Sequence, residues 1–508
     1  MRLDKLTPMP LDDAALAAVD IRGLSADSRH VQPGYLFAAL AGAQADGQAY
    51  VGQAIDNGAA AILTDRPLVA GVPVVTSDNP RRDLALMAAR FFEVQPPHIA
   101  AITGTNGKTS TAAFLRQFCA AAQFKAAAIG TLGIDIGAVE MSGTEINAGD
   151  ADGFDAALNH TTPEPVRLHA ALRDLVAHQV THVAMEASSH GLAQHRLDGV
   201  HVSVAGFTNL SRDHLDYHAT AEDYAAAKQR LFTQIVSAEG ICVITMSHQA
   251  GVDMAAACTE AGRQLMPVGR RGDAVHIEIA GRRATGLDVT LTLDGALHSI
   301  ALPLIGDFQI ENLTLALGMA KAMGLEDETL LRACQTLEAP RGRMQLAGRK
   351  LSAQAGDEDN GAAVFVDYAH TPDALDNALI ALRRHLPDGG RLLVMFGCGG
   401  DRDVGKRSDM GAVAEAQADM VFVTDDNPRH EDAATIRAAI MDACPKAQEI
   451  GDRASAIEAI IDAAQANDLI LLAGKGHESG QIVGDIILPF DDVTKAQSVL
   501  ALKGGQHG

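Results

Sequence analysis

Tryptophan is absent from this chain of 508 residues, and aromatic residues of all kinds make up only 4% of it. With 47% hydrophobic and 21% charged residues, the deficit leaves the composition of an ordinary α/β protein rich in Gly and Ala, not of a disordered one. Basic residues are scarce too: 41 Lys and Arg stand against 64 Asp and Glu, for a formal net charge of −23. That excess repels phosphate backbones and anionic lipid, so neither nucleic acid nor a membrane surface is an expected partner. Anionic small molecules must then be met by local Lys, Arg, Mg²⁺ or helix ends. The six cysteines, Cys119, Cys242, Cys258, Cys334, Cys398 and Cys444, form no C-x-x-C pair, which suggests neither a zinc knot nor a disulfide framework. No run approaches the roughly 18 apolar residues of a membrane span, and the charged first eleven positions lack a signal-peptide core. A cytoplasmic location is expected.

The length suggests about three domains of roughly 150 residues each. Paired Pro96-Pro97 reads as a linker, because proline stiffens the chain and stops helices, and a second boundary falls near Ala339-Pro340-Arg341-Gly342-Arg343. The expected domains are 1–97, 98–340 and 341–508. In the first, strands are expected over 34–39, 60–64 and 72–76 and a helix over 50–58. The second repeats strand-helix units, with strands over 180–185, 202–207 and 240–245. Hairpin-like alternation over 276–293 and 298–302 follows, then a helix over 310–323. In the third, apolar runs over 363–366, 391–396, 420–423 and 469–472 are each followed by Gly-rich or Asp-rich sequence and a helical pattern, the signature of a doubly wound parallel sheet. Residues 137–159 and 354–361 look like surface insertions and are assigned no chemistry.

The stretch HIAAITGTNGKTSTAAFL, residues 98–115, organises the rest. An apolar strand over 99–102 runs into Gly104, Thr105, Asn106 and Gly107, after which Lys108, Thr109 and Ser110 open an alanine-rich helix. Such a loop aims backbone N–H groups and a helix N-terminus at an anion, with Lys108 reaching the outer phosphates and the Thr109 hydroxyl facing Mg²⁺. The general G-x-x-x-x-G-K-[ST] pattern would put glycine where Ile102 stands, so the loop is of a subtype.

Glu186 leaves the strand over 180–185, a position suited to Mg²⁺. Dense His and Asp in NLSRDHLDYH, around His214, suggest a second metal site, although His214 taken alone also reads as a core histidine. On spacing alone Lys228 reads as a solvated helix lysine. In the last domain Asp367 follows a strand and is placed to accept from ribose hydroxyls. Three further loops, around Arg402, around Asp426-Asn427-Pro428-Arg429 and around Gly474 and Glu478, each leave a strand end. Guanidiniums suit carboxylates and Glu478 suits an ammonium, so a ligand carrying both charges, such as an amino acid, fits the set.

Together GTNGKTS, MEASSHGL, FTNLSRDHLDYH, DYAHTPDAL, GCGGDRD, TDDNPR and AGKGHE resemble the Mur ligase family, in order over nearly the whole chain. GTNGKT alone also occurs in folylpolyglutamate synthases. The resemblance is to the branch that adds the third amino acid to UDP-N-acetylmuramoyl-L-alanyl-D-glutamate. It implies an N-terminal domain for the uridine nucleotide, a central P-loop-type ATP domain and a C-terminal Rossmann-like domain for the amino acid. It assigns Ser28, Gln44, Ala45, Thr161, Thr162, Ser188, Gln194 and Arg196 to the UDP-substrate. Gly104 to Ser110, Asn312, Arg343 and Asp367 go to ATP, with Lys108, Glu186, His214 and Lys228 as catalytic residues. Thr109, Glu186, His214 and Lys228 become metal-associated, and Lys228 matches a family lysine that is carbamylated, which reverses the reading from spacing. Two Mg²⁺ ions are implied. Arg402, Asp426, Asn427, Pro428, Arg429, Gly474 and Glu478 form the amino-acid pocket, the arginine of DNPR meeting the extra carboxylate of meso-diaminopimelate. Ala433 departs from a proline frequent there.

The expected activity is ATP-dependent amide-bond formation through an acyl phosphate, by a monomer, in peptidoglycan precursor synthesis. An L-lysine-adding relative or a folylpolyglutamate-type ligase is the alternative, and a nucleotide-regulated binding protein that has lost catalysis is a rival of another class.

Overall fold

A computed structural model describes every residue except 12, 43–45, 138–160, 212, 214–216, 352–360, 504 and 508. Gln44, Ala45 and His214, and nearly all of the two insertions, therefore lie outside the described residues. The chain divides into two compact units, Met1–Ala274 with Leu315–Thr329, and Val275–Thr314 with Leu330–Gly508.

The first unit opens with a four-stranded parallel sheet in the order β1 (Gly23–Ser25), β2 (Tyr35–Ala38), β3 (Ala61–Thr64) and β4 (Val74–Thr76). The expected strands are there, shortened by a residue or two at their ends, and the expected helix is Val51–Asp56. Leu36, Ala38, Ala61, Leu63 and Val75 build a core with Leu84 and Met87 of the helix Pro80–Phe92. That helix carries proline in its first turn, where no N–H is needed, and the Asn79 side chain caps it by accepting from the Arg82 N–H at 3.1 Å.

A seven-stranded sheet follows, in the order β11 (Gln264–Val268), β10 (Val236–Thr245), β9 (Val202–Phe207), β5 (His98–Thr103), β8 (His182–Glu186), β6 (Ala126–Gly130) and β7 (Gly133–Asp135). All neighbours are parallel except β6 and β7. Only Thr131 and Leu132 join that last pair, and so short a connection permits only a hairpin, whereas parallel neighbours need a crossover. The central strands are buried on both faces, which is why β5, β8 and β9 read as apolar runs without alternation. The helix Lys108–Ala121 buries Phe114, Leu115 and Phe118.

In the second unit, β12 (Val275–Arg283), β13 (Gly286–Leu293) and β14 (Ala296–Leu302) form an antiparallel meander, as the alternation implied. The helix expected over 310–323 runs Asp307–Ala322, with residues 307–314 counted in this unit and 315–322 in the first. The larger sheet is ordered β19 (Gln448–Glu449), β18 (Met420–Val423), β17 (Leu392–Phe396), β20 (Leu469–Ala473), β16 (Ala362–Asp367), β15 (Gln345–Lys350) and β23 (Gln506–His507). Its five strands from β19 to β16 are parallel and β15 is antiparallel to β16, so the sheet is mixed at one edge. The four expected strands β16, β17, β18 and β20 are adjacent, and their C-terminal ends bring three candidate loops together. An unforeseen hairpin, β21 (Gly480–Val483) with β22 (Ile486–Pro489), extends beyond β20 and exposes Ile486 and Ile487. No helix among the described residues is long and apolar enough to cross a membrane.

Candidate active site

At the end of β5 the chain turns through Gly104 and Gly107, both with positive φ. At Gly104 a Cβ atom would lie 1.8 Å from Thr208 Oγ1, so the loop can pass β9 only as glycine. The loop is laced to the segment after β9. Thr105 N–H donates to Asn209 O (2.9 Å), Asn106 N–H to Asn209 Oδ1 (3.0 Å), and the Thr208 hydroxyl to Asn106 O (2.7 Å). Lys108 Nζ folds back to the carbonyls of Gly104 (2.9 Å) and Thr105 (2.8 Å). Strand, loop and helix thus follow one another as expected, with the loop braced by the Thr208 and Asn209 side chains just after β9.

Beside it, Glu186 is the last residue of β8 and is buried. Its Oε1 accepts from the Thr109 hydroxyl (3.0 Å) and from the Thr131 N–H (2.8 Å), and its Oε2 from the Thr131 hydroxyl (3.2 Å). Gly130 makes room for it, since a Cβ there would lie 2.0 Å from Oε1. A carboxylate and a hydroxyl oxygen side by side at the start of a phosphate-loop helix are hard donors that suit Mg²⁺. Among the described residues, however, no three His, Cys, Asp or Glu side chains group to hold a metal ion.

Lys228 is not the solvated lysine its spacing implied. It is 1% exposed, because the helix Ala221–Arg230 lays its last turn against the loop. Its Nζ donates to Gly104 O (2.8 Å) and lies 4.3 Å from the centroid of the Tyr224 ring. Burial, with the nearby Lys108 charge adding to it and Asp213 opposing, brings its pKa down to about 6. The Tyr224 hydroxyl in turn meets Thr105 Oγ1 at 3.1 Å.

The Thr161–Arg196 set assembles next to Glu186. Thr161 and Thr131 share a hydroxyl contact of 3.1 Å. Thr162 donates to Glu186 O (2.9 Å) and accepts from the Ser188 N–H (2.9 Å). Arg196 donates to Thr162 O (2.7 Å) and to Gln194 Oε1 (2.8 Å), and pairs with Glu164 at 2.7 Å. Ser28 stands apart from these contacts, its hydroxyl donating to Gln53 Oε1 at 2.7 Å.

In the second unit, Asp367 ends β16 and accepts from the Met344 N–H (2.7 Å) and the Ala369 N–H (2.9 Å), so both carboxylate oxygens already hold main chain. Burial raises its pKa against the pull of Arg343. Arg343 stacks on Tyr368, 5.0 Å from the ring centroid, and Asn312 donates to Gln309 Oε1 at 3.1 Å. Tyr368 also packs on His477, whose pKa burial and then Arg343 and Arg341 bring down to about 4.

The loops after β17, β18 and β20 do converge. Asn427 donates to Glu478 Oε2 (2.9 Å), and Arg429 Nη1 donates to Gly400 O (2.8 Å). A Cβ at Gly399 would sit 2.8 Å from that Nη1 and 3.9 Å from the Arg402 side chain, so both arginines border one glycine loop. Arg429 has φ +51, and its main chain is pinned to the hairpin through the Ile482 carbonyl (3.1 Å) and the Gly484 N–H (2.7 Å). Gly474, at φ +110, approaches Asp426. Cys398 is buried, its thiol facing the Met410 sulfur at 3.6 Å, and burial holds its pKa up at about 11.

Sequence reasoning passed over Thr131, Tyr224 and Lys475. Thr131 follows an apolar strand in the turn IGTLG, a signal of the same kind that marked Glu186. Lys475 is fully buried between two glycines, one of them the flagged Gly474.

Three stretches match family descriptions: residues 20–98 "Mur ligase family, catalytic domain", 102–320 "Mur ligase middle domain" and 342–476 "Mur ligase, glutamate ligase domain". A relative from Agrobacterium fabrum, described as UDP-N-acetylmuramoyl-L-alanyl-D-glutamate--2,6-diaminopimelate ligase, is 46% identical over 96% of this chain and 94% of its own. One of the same description from Caulobacter vibrioides is 44% identical over 95% and 96%. A solved structure of a ligase of that description superimposes with a TM-score of 0.72 at 31% identity, covering 99% of both chains. The MurF ligase of Thermotoga maritima in complex with ADP shares the fold alone, at 15% identity and a TM-score of 0.57.

Proposed function

The chain belongs to the Mur ligase family, and from that premise we propose that it joins meso-diaminopimelate to UDP-N-acetylmuramoyl-L-alanyl-D-glutamate at the expense of ATP, a step of peptidoglycan precursor synthesis. The observation that carries the reading is the coexistence, in a chain 46% identical to a ligase of that name, of the Lys108–Glu186 nucleotide cradle with the Asn427, Arg429 and Glu478 loops. The division into 1–97, 98–340 and 341–508 is retained as three substrate-binding domains.

A D-glutamyl carboxylate oxygen attacks the γ-phosphorus of ATP and ADP leaves, giving an acyl phosphate. The amine of diaminopimelate then attacks the acyl carbon, phosphate leaves, and the nitrogen gives up a proton. Lys108 and the loop N–H groups not already bonded to Asn209 hold the phosphates, which lets charge develop on the phosphoryl oxygens without reorganising the site. Thr109 and Glu186 are the residues to hold Mg²⁺, which when bound neutralises those oxygens. His214 and Lys228 are assigned to a second ion. Lys228 serves there as a carbamate: its amine, largely neutral at pH 7, attacks CO₂ through nitrogen and loses a proton, which puts an anionic oxygen ligand where the amine stood. Thr161, Thr162, Ser188, Gln194 and Arg196 take the sugar-peptide, and Ser28, Gln44 and Ala45 its uridine end. Asn312, Arg343 and Asp367 take the rest of ATP. Arg402, Asp426, Pro428 and Gly474 complete the amino-acid pocket. The reading places a monomer in the cytoplasm.

ADP release with the UDP-dipeptide is the test, comparing meso-diaminopimelate with L-lysine. Strong preference for the diamino diacid is expected, and equal turnover would sink the arginine argument. Protein freed of CO₂ should regain activity on adding bicarbonate, and a fully active Lys228→Ala chain would remove the carbamate.

A further inference from the structure

We propose that Lys475 is a positioning residue of the amino-acid pocket: its ammonium fixes the orientation of the Asn427 amide and so sets the groups this pocket turns toward an incoming amino acid. The inference rests on the reading of that pocket given above and adds a residue to it.

Lys475 follows β20 and has no exposed surface, so it is not itself a ligand contact. Its Nζ donates to Asn427 Oδ1 (2.9 Å) and to Gly480 O (2.8 Å), and lies 3.4 Å from both Asp426 Oδ1 and Glu478 Oε2. An ammonium only donates, so the Asn427 atom facing it has to be oxygen. The Ile482 N–H, a second group that only donates, meets the same oxygen at 2.9 Å. Two donors from different segments thus remove the usual ambiguity of an amide. Turned over, the NH₂ would face both donors and the oxygen would face a carboxylate, leaving buried groups unpaired.

The orientation has a consequence one residue further out. Asn427 Nδ2 must face Glu478, and it donates to Oε2 at 2.9 Å. Oε2 therefore takes both Asn427 and Lys475, which leaves Oε1 outside these contacts to receive an ammonium. The same cation neutralises Asp426, whose Oδ1 is buried without a hydrogen bond, and its bond to Gly480 O holds the start of the hairpin to which the Arg429 main chain is pinned. One buried charge thus aligns the carboxylate and the arginine that read opposite ends of the ligand. A straight four-carbon stem ending in three donors is what the position requires.

The test is steady-state kinetics of the full chain with ATP, the UDP-dipeptide and meso-diaminopimelate varied in turn. Lys475→Met, which keeps the stem and removes the donors, is expected to raise KM for meso-diaminopimelate by about tenfold or more while the other two KM values and kcat move by less than about threefold. Lys475→Gln, which returns an amide donor, should recover part of that loss, and it decides the matter by the same ratio if the Met variant does not fold. An unchanged KM for meso-diaminopimelate in a folded variant overturns the inference. So does a common shift of all three KM values with a lowered melting temperature, the mark of a merely structural lysine. Wild-type protein that releases no ADP with meso-diaminopimelate would instead remove the pocket reading itself.

Discussion

The ammonium nitrogen of Lys228 lies 2.8 Å from the carbonyl oxygen of Gly104, and Lys108 Nζ approaches the same oxygen at 2.9 Å. Two cationic side chains thus share one acceptor in a buried setting, which disfavours keeping both charged. Lys228, more deeply buried, is the one that gives way.

The pH dependence of stability should carry that mark. The Lys228 pKa falls from 10.5 unfolded to about 6 folded, so between these values the unfolded chain binds the extra proton and stability rises with pH. The penalty is whole below about pH 6 and gone above 10.5. In CO₂-free buffer, Lys228→Met is expected to melt higher than wild type near pH 6, with the advantage vanishing toward pH 10. Parallel melting curves across that range would refute the assignment.

Gly104→Ala tests the loop itself. The added methyl would meet Thr208 Oγ1 at 1.8 Å, and a φ of +149 already disfavours any side chain. Either Thr208 gives up its bond to Asn106 O or the loop withdraws from β9. Phosphate-binding N–H groups would then be misplaced, at a cost of about a hundredfold or more in kcat/KM for ATP. A small change in the affinity for ADP, measured by calorimetry, would show that the cradle tolerates the shift.

Much of this was legible from residues alone, for identifiable reasons. Strands β5, β8, β9, β16, β17, β18 and β20 are buried on both faces, so they stand out as apolar runs, and the polar residues that follow them mark the strand ends where the candidate site residues gather. Lys228 was not legible from periodicity. Nothing in a helix pattern tells that a lysine is covered by the ring of a tyrosine four residues earlier and by a loop 124 residues away. The antiparallel turn at β7 and the hairpin after Glu478 escaped because both are short and carry few apolar residues toward a core. Lys475 escaped because a buried lysine and a solvated one look alike until their partners are known.

Arg429 is predicted to act on selectivity more than on rate. Its guanidinium donates to Gly400 O, and its main chain is held by Ile482 and Gly484, so truncating the side chain leaves the loop anchored. Arg429→Ala should weaken meso-diaminopimelate by about 2 kcal/mol or more, the value of a charge-assisted hydrogen bond, while hardly affecting L-lysine. Competition between the two amino acids, read by mass spectrometry of the product, measures that ratio. An unchanged preference would mean that Arg402 or another group selects the substrate.

A buried salt bridge underlies the end of β20, just before Gly474. Arg453 and Asp492 are both fully buried, Nη2 to Oδ2 at 2.6 Å and Nε to Oδ1 at 2.8 Å, a two-point pair between the helices Arg453–Ala463 and Asp492–Leu502. Arg453 Nη2 also donates to Ala473 O at 3.0 Å, on the last residue of β20 before Gly474. Removing the carboxylate leaves a guanidinium in the core without its counterion, so Asp492→Ala should cost about 3–5 kcal/mol of stability, more than most core truncations of a side chain that small. Because the freed guanidinium keeps its hold on Ala473, the loss should appear in denaturant melts of the second unit before it appears in KM for the amino acid. Replacing both residues together, Arg453→Met with Asp492→Leu, should restore most of the stability, since a well-packed apolar pair needs no charge balance. If the double variant is as unstable as the single one, the pair matters for its hydrogen bond to β20 and not for its charge.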